Sequence, residues 1–229
     1  MDWVLLLDFD GTVSPTDVGP LILSRLAGDR WIPLNQAWDR GEVTTPERAQ
    51  GQWALVAADD VAVQTVVDQV QLDPHFPALL ACCRERSIPL WIVSDGFDFY
   101  IERILANHGL AGVPTLANRA RWSDGRWRLE FPYADRHGTP AGSWKADVVR
   151  RFQDGGARVV YAGDGLSDRA GAEAADHRFA KGKLTAYCRE RGIPFESFEG
   201  LAQVLAGIRA LVNIEDRREP SAGTEGETS

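Results

Sequence analysis

The first apolar run of the chain, Val4 to Leu7, stops at Asp8, and Asp10 follows two residues later. An apolar run of this length without polar interruption is typical of a strand buried on both faces of a sheet. Because Asp8 and Asp10 are two residues apart, an extended chain directs both side chains to the same side. In open α/β sheets, ligands bind beyond the carboxyl ends of such strands. This segment therefore predicts a buried strand that delivers a pair of carboxylates to a ligand site.

The periodicity becomes helical after Pro15 and stays helical as far as residue 73. Apolar residues recur three and four positions apart, while Gly28, Gly41 and the Thr45–Pro46 pair mark helix ends and a helix start. We expect residues 15–73 to form a small helical bundle, inserted after the first strand as a cap over its end. Packing of these helices elsewhere on the core is the alternative.

Strand and helix patterns alternate from residue 74 onward, with apolar strands predicted at residues 90–93 and 159–162. Residues 119–133 alternate around Asp124-Gly125, which is a strong hairpin signal. The sequence therefore predicts an α/β fold: a Rossmann-like parallel-sheet core, formed by residues 1–14 and 74–214, plus a β-hairpin and the helical cap. The polar residues 215–229 are predicted to be a disordered tail.

Composition narrows the range of partners and settings. The net charge is −8 and the pI about 5.1, so the chain lacks the basic character that nonspecific binding to nucleic acid or to an acidic membrane requires. No apolar run approaches the length of a membrane span. Cys82, Cys83 and Cys188 do not form the pattern of a disulfide framework, so we expect a reduced, cytoplasmic setting. The oligomeric state stays open.

Three predicted strands end in polar residues, namely Asp8 with Asp10, Ser94, and Asp164 with Asp168. The carboxyl ends of parallel strands meet at one edge of a sheet, so these side chains are expected to lie together. Crowded carboxylates are costly to bury without a cation, and Mg²⁺ prefers oxygen ligands. One carboxylate can attack phosphorus, and a second can protonate the leaving alcohol and then activate water. The set predicts phosphoryl chemistry.

Lys145 is the candidate cation for holding phosphate. The chain has only three lysines beside 22 arginines. Lys145 lies between the strands that end at Ser94 and Asp164, whereas Lys181 and Lys183 follow the last acidic motif on a segment predicted as a loop. A compact ammonium differs physically from a guanidinium fork, so an isolated lysine in an arginine-using chain indicates a site. A surface lysine at a helix start is the alternative.

These motifs resemble those of a known superfamily. Asp8-Phe9-Asp10-Gly11-Thr12, Ser94, Lys145 and Gly163-Asp164-Gly165-Leu166-Ser167-Asp168 are similar, in this order, to the four motifs of the haloacid dehalogenase superfamily. The helical insert resembles the cap of its phosphoserine-phosphatase-like branch. Within that branch, residues 93–99 and the Asp124-Gly125 hairpin look most similar to the 2-hydroxy-3-keto-5-methylthiopentenyl-1-phosphate phosphatases of methionine salvage. The resemblance implies a magnesium-dependent phosphatase of a small phosphorylated metabolite.

The resemblance also implies a role for each matched residue. Asp8 would be the nucleophile and a Mg²⁺ ligand, Asp10 the acid-base that lends its carbonyl to the metal, and Asp164 the second carboxylate ligand. The remaining assignments are phosphate binding by Ser94, Asp95, Gly96 and Lys145, with Thr12 and Asp168 in supporting positions. Asp95 departs from the pattern, because relatives often have glycine there.

Substrate selection is assigned to Asp17, which stands where phosphoserine phosphatases carry a glutamate that contacts the substrate amine. No arginine of the insert matches their carboxylate clamp, and Arg48 is the nearest candidate. An amino acid would then leave its charges poorly paired, at a cost in affinity. We expect phosphoserine to be a poor substrate and a neutral, hydroxylated or keto-bearing phosphate ester, such as a sugar-like or keto-enol phosphate, to be a better one, with phosphoserine phosphatase as the alternative.

Other protein classes use similar residues. A signalling phospho-acceptor domain has an acidic pocket, a hydroxyl and a lysine, but its phosphorylated aspartate lies on a later strand than its acidic pair. No aspartate follows Ser94 in the corresponding place. A dehalogenase needs no acid for its leaving group, and Asp10 supplies one. A non-catalytic relative is disfavoured because every chemical position is filled.

Overall fold

The computed structural model describes residues 3–133 and 142–216 and is built around a seven-stranded sheet. Its strands are β1 (Trp3–Leu7), β2 (Leu90–Phe97), β3 (Thr115–Ser123), β4 (Arg126–Glu130), β5 (Arg158–Gly163), β6 (His177–Ala180) and β7 (Glu196–Ser197). They lie in the order β4-β3-β2-β1-β5-β6-β7. Neighbouring strands are parallel except β3 and β4, which form an antiparallel hairpin. The predicted α/β fold is confirmed.

The helices fall into two groups along the chain. The helices are α1 (Val18–Ala27), α2 (Ile32–Asp39), α3 (Thr45–Trp53), α4 (Asp60–Val67), α5 (Phe76–Glu85), α6 (Asp98–Asn107), α7 (Ser143–Asp154), α8 (Arg169–Ala174), α9 (Gly182–Arg191) and α10 (Leu201–Asp216). Helices α1 to α5 follow one another between β1 and β2, and the others alternate with strands or end the chain. In the described ranges, no helix has both the length and the apolar character needed to cross a membrane. The division of the chain into a helical cap, residues 15–73, and a core stays a prediction.

Strand β1 is the centre of the sheet, with β2 on one side and β5 on the other. Leu5 pairs with Leu90 and with Val160. The side chains of β1 alternate between two apolar clusters, one on each face of the sheet, so every residue of the strand is buried. Each such side chain contributes about 1.5–3 kcal/mol by leaving water. This double burial explains the unbroken apolar run and fixes the position at which Asp8 emerges.

Side-chain caps set two of the helix starts in the insert. The hydroxyl of Thr44 accepts a hydrogen bond from the Glu47 amide at 3.3 Å, and the Glu47 carboxylate accepts one from the Thr44 amide at 2.8 Å. Asp59 accepts a hydrogen bond from the Ala62 amide at 2.9 Å. Asp17 occupies the N-cap position of α1 without a side-chain cap bond, which leaves its carboxylate directed elsewhere.

The two ends of the insert are joined to each other and to the last helix. The Asp73 amide donates to the Val13 carbonyl at 2.9 Å. The buried Asp73 carboxylate accepts hydrogen bonds from the His75 amide at 2.8 Å and from the Leu201 amide at 2.9 Å, where α10 begins. Asp73 therefore joins the two connections of the insert through its backbone amide and ties them to α10 through its side chain.

The β3–β4 hairpin contacts the insert, which the sequence does not predict. Trp122 and Trp127 are cross-strand partners whose ring centroids lie 5.7 Å apart. The Trp127 indole also donates a hydrogen bond to the Ala58 carbonyl at 3.2 Å and packs at 5.0 Å against Trp53 of α3. The hairpin therefore connects sheet and insert through an aromatic contact.

Two boundaries differ from the sequence predictions. The segment with Lys181 and Lys183 is predicted as a loop, but Lys183 lies on helix α9. This prediction is wrong because α9 buries only Leu184 and Cys188, and so narrow an apolar stripe gives little helical periodicity. Helix α10 continues to Asp216, two residues beyond the predicted end of the core. The rest of the predicted tail, residues 217–229, lies outside the described residues.

Candidate functional site

The polar residues predicted at the strand ends lie together at the carboxyl edge of the sheet. Asp8 follows β1, Ser94 lies in β2, and Asp164 follows β5. Together with residues of α1, α2 and α3 they line a cavity of about 360 Å³. The cavity therefore lies between the sheet edge and the helical insert.

Lys145 is completely buried next to Asp8. Its ammonium nitrogen donates to Asp8 Oδ1 at 3.0 Å and to Asp168 Oδ1 at 2.7 Å. Burial alone lowers the pKa of Lys145, but the carboxylates of Asp168 and Asp8 raise that pKa above its usual value. Lys145 is therefore a fixed positive charge inside the acidic cluster, and the alternative of a surface lysine is excluded.

Asp168 positions this lysine and the neighbouring turn. Its Oδ1 accepts a second hydrogen bond, from the Tyr161 hydroxyl at 2.7 Å. Its Oδ2 accepts bonds from the amides of Asp164 at 3.1 Å and Gly165 at 2.9 Å. These four contacts are about as many as a carboxylate accepts, so Asp168 would bind a metal ion only in exchange for one of them. The arrangement fits the supporting role implied by the resemblance.

Three carboxylates form a group that fits a hard divalent cation. Asp8, Asp164 and Asp168 each offer an oxygen atom within 4.8 Å of the others. The Thr12 hydroxyl orients Asp164 by donating to its Oδ1 at 3.1 Å. Burial, followed by the charges of Asp168 and Asp17, raises the pKa of Asp164 to about 7. An all-oxygen donor set in which carboxylates resist ionisation is suited to Mg²⁺.

Gly11 is needed for the approach of Asp164 to the first motif. Its φ of 74° lies in the left-handed region, and a Cβ atom there would come within 2.5 Å of Asp164 Oδ2. A side chain at this position would push the carboxylate away from Asp8. The glycine of the first motif therefore has a steric role in the acidic group.

The carboxylate of Asp10 is held apart from the other three. Its Oδ1 accepts a hydrogen bond from the Val18 amide at 2.7 Å, and its Oδ2 accepts one from the Tyr100 hydroxyl at 2.7 Å. Burial raises the pKa of Asp10 to about 6, although both hydrogen bonds oppose the shift. A carboxyl group with this pKa can give and take a proton near neutral pH. Participation of the Asp10 carbonyl in metal binding stays a prediction.

The predicted phosphate-binding residues of β2 line the same cavity. Ser94 is buried, and its hydroxyl accepts a hydrogen bond from the Gly96 amide at 3.0 Å. The Asp95 carboxylate accepts a bond from the Trp144 indole at 2.7 Å. This contact directs one oxygen of Asp95 to a tryptophan.

Three charged residues of the insert line the cavity, Asp17, Asp39 and Arg48. The Arg48 guanidinium lies 4.2 Å from the centroid of the Trp38 ring and donates to Asn35 at 3.4 Å. Within the described part of the chain, the buried Nε atom of Arg48 has no hydrogen-bond partner. The sequence gives Arg48 little weight, because an arginine on a helix between Glu47 and Ala49 carries no signal of its own.

We expect Mg²⁺ to raise the melting temperature of the protein by about 5 °C or more at a concentration 100-fold above its Kd. Burial raises the pKa of Asp164 to about 7, above about 3.9 for an unfolded aspartate. The metal-free fold therefore loses stability from this group as the pH rises from about 4 to about 7. The gain from Mg²⁺ should be larger at pH 8 than at pH 5.

Thermal melts with and without Mg²⁺, at constant ionic strength, measure this gain. Asp164→Asn is the matched control, since it keeps the shape and removes one anionic ligand. An equal gain in wild type and Asp164→Asn would contradict this metal site.

Comparison with known proteins identifies the same family by a family model and by individual relatives. A family model for haloacid dehalogenase-like hydrolases matches residues 5–173. A 2-hydroxy-3-keto-5-methylthiopentenyl-1-phosphate phosphatase from Brevibacillus brevis is 30% identical, over 93% of this chain and 96% of that protein. A protein of the same name from Geobacillus thermodenitrificans is 27% identical, over 91% and 96% of the two chains.

The fold also has a match among solved structures. A substrate-bound phosphoserine phosphatase complex superposes with a TM-score of 0.71 at 16% identity, covering 90% of this chain and 98% of that chain. A likeness at this identity shows the shared fold.

Proposed function

Since this chain belongs to the haloacid dehalogenase-like hydrolase family, we propose that it is a Mg²⁺-dependent phosphatase in which Asp8 becomes phosphorylated. Asp8 and Asp10 line one cavity, and Lys145 lies behind Asp8 with its ammonium bonded to Asp8 Oδ1; this is the observation that supports the function most strongly. Residues 15–73 form the cap of the enzyme in this proposal. The cap supplies one wall of the cavity and the core supplies the reacting groups.

The reaction has two steps. In the first, Asp8 attacks phosphorus, the bond from phosphorus to the leaving oxygen breaks, and the Asp10 carboxylic acid gives its proton to that oxygen. In the second, the Asp10 carboxylate takes a proton from the water that attacks phosphorus, and Asp8 and inorganic phosphate are released. When bound, Mg²⁺ would offset the negative charge that gathers around the phosphate and Asp8.

Lys145, Ser94 and Gly96 hold the phosphate oxygens in this proposal. Lys145 contacts Asp8 at 3.0 Å, so its charge lies beside the nucleophile. At the cavity wall the Gly96 amide donates a hydrogen bond to the Ser94 hydroxyl. Both groups are donors that can be offered to an anion instead. Phosphate thus meets one cation and two neutral donors.

The leaving group lies against the cap. The cavity has an apolar side formed by Leu23, Trp38, Trp53 and Phe97. An apolar wall with aromatic rings suits a thioether tail, which gains from contacts between sulfur and aromatic rings. We propose that the substrate is the keto-enol phosphate that gives the relatives their name, whose methylthio group would pack there.

Phosphoserine is the second candidate, and Asp17 and Arg48 favour it. Both side chains face the cavity, so an ammonium and a carboxylate would each find an opposite charge. The expectation of a poor fit for phosphoserine rested on the lack of a suitable arginine, and the position of Arg48 weakens it. The buried Nε of Arg48 would equally donate to the keto oxygen of the other substrate.

Phosphate release from a panel of esters with Mg²⁺ tests the function. We expect kcat/KM for the keto-enol phosphate to exceed that for phosphoserine by about 10-fold or more, the range that apolar contacts supply. Leu23→Ala should lower kcat/KM for the keto-enol phosphate and leave that for phosphoserine nearly unchanged. Asp17→Ala should do the reverse.

Two other outcomes would change the proposed function. A preference for phosphoserine that is lost in both Asp17→Ala and Arg48→Leu would make the protein an amino-acid phosphatase. Release of phosphate from no ester of the panel would return the protein to the non-catalytic or signalling class.

A further inference from the structure

Tyr100 is a buried residue of helix α6 that belongs to none of the four motifs. Its ring packs against Phe97 and Phe99, with centroid separations of 6.5 Å and 5.4 Å. Packing in the hydrophobic core therefore accounts for the ring. It does not account for the hydroxyl, which reaches the cavity and donates a hydrogen bond to Asp10 Oδ2 at 2.7 Å.

Gly96 makes room for this hydroxyl. A Cβ atom at Gly96 would overlap the Tyr100 hydroxyl and would lie 2.7 Å from Asp10 Oδ2. The hydrogen bond thus depends on three separate elements: the turn after β1, the end of β2 and the first turn of α6. Because the contact between Tyr100 and Asp10 requires a glycine on a third element, it is a specific feature of this fold.

The second oxygen of Asp10 is held from the other side. Asp10 Oδ1 accepts from the Val18 amide at 2.7 Å, at the start of α1 in the insert. Val18 belongs to the insert and Tyr100 to the core, so two donors on different parts of the chain fix the plane of one carboxyl group. Each oxygen keeps a further acceptor site for the transferred proton.

We propose that Tyr100 is a positioning residue for Asp10, whose hydroxyl holds the carboxyl group in the orientation that meets the leaving oxygen. This inference rests on the proposed function, in which Asp10 is the proton donor. Without the hydroxyl, Val18 alone would orient the carboxyl group, which would then rotate. Misplacement by about 1 Å costs about 10²-fold in a positioned reaction.

The test compares two leaving groups in Tyr100→Phe, which keeps the ring and removes only the hydroxyl. An alkyl phosphate needs the proton from Asp10, whereas p-nitrophenolate leaves without it. We expect kcat/KM to fall about 10- to 100-fold for the alkyl ester and to change little for p-nitrophenyl phosphate. This parameter covers the steps up to departure of the alcohol, so the later attack of water does not enter.

Tyr161→Phe is the matched control. Tyr161 is also fully buried and donates to a carboxylate at 2.7 Å, but to Asp168, which supports Lys145. Lys145 acts on the phosphate, which both esters share. Tyr161→Phe should therefore lower kcat/KM for the two esters by the same factor.

The outcomes separate this inference from the proposed function. A loss in Tyr100→Phe that is equal for both esters, or no loss, would overturn the positioning role, provided that Asp10→Asn still discriminates between the esters. Failure of Asp10→Asn to discriminate would instead remove the proton donor itself. An unchanged tryptophan region of the near-ultraviolet circular dichroism spectrum, at wavelengths above the tyrosine bands, shows that Tyr100→Phe keeps its packing.

Discussion

Asp8→Asn is expected to lower kcat by a factor of at least about 10⁴, as removal of a nucleophile does, without unfolding the protein. An amide neither attacks phosphorus nor provides an anionic oxygen for a metal. Burial, and then the charge of Asp168, raises the pKa of Asp8 well above its usual value, so this carboxylate is costly to keep ionised. Lys145 keeps its 2.7 Å contact with Asp168 when Asp8 is neutral.

The metal-free Asp8→Asn variant should therefore unfold at the same denaturant concentration as wild type, or at a higher one. Initial rates with p-nitrophenyl phosphate and urea unfolding curves measure the two effects. Asp10→Asn is the matched control: it should lose about 10²–10⁴ in kcat/KM with an alkyl ester and much less in kcat/KM with p-nitrophenyl phosphate. Retention of most activity in Asp8→Asn would place the nucleophile elsewhere.

Lys145→Met is expected to abolish most activity and to destabilise the protein by about 3–5 kcal/mol at pH 8, the cost of breaking a buried ion pair. Methionine has a similar length and is apolar, so the change removes the charge and little volume. Asp8 and Asp168, both buried, would then face each other without a cation. Carboxylates in this position take up protons instead of staying charged.

The pH dependence identifies the cause of this loss. Burial already holds the pKa of Asp8 well above its usual value, and loss of Lys145 removes a charge that lowers it. A folded-state pKa above the unfolded value costs stability at high pH, and this cost disappears as the pH falls. Lys145→Met should therefore differ less from wild type at pH 5 than at pH 8.

Lys145→Arg provides the matched control for charge. It restores a cation, but a planar guanidinium does not fit a pocket shaped around an ammonium, so stability should return in part and activity should not. Equal stability of wild type and Lys145→Met at pH 8 would contradict the structural role of the ion cluster.

The positions of Asp8, Ser94 and Asp164 at one edge of the sheet follow from the sequence, since each ends or follows an apolar run. Buried parallel strands are readable because both of their faces must be apolar. The order of the motifs then predicts the family, and the comparisons confirm this prediction. Their catalytic and metal-binding roles remain predictions until variants are measured.

Tyr100 and Arg48 were not predictable in the same way. Tyr100 lies on the buried face of α6, where an aromatic residue is expected for packing alone, and its contact with Asp10 depends on space left by Gly96. Arg48 faces the cavity only because α3 packs across the sheet edge. Both contacts arise from tertiary arrangement, which local periodicity does not contain.

The central place of β1 has a consequence for synthesis of the chain. Leu5 pairs with Leu90 and Val160, so this strand leaves the ribosome long before either partner, while the helices after it have mostly local contacts and can form early. Asp8, the proposed nucleophile, is thus made first and Lys145 much later. A nascent or interrupted chain that ends before Lys145 carries Asp8 without the charge beside it, so the proposed catalysis is confined to chains that extend through the later strands of the sheet.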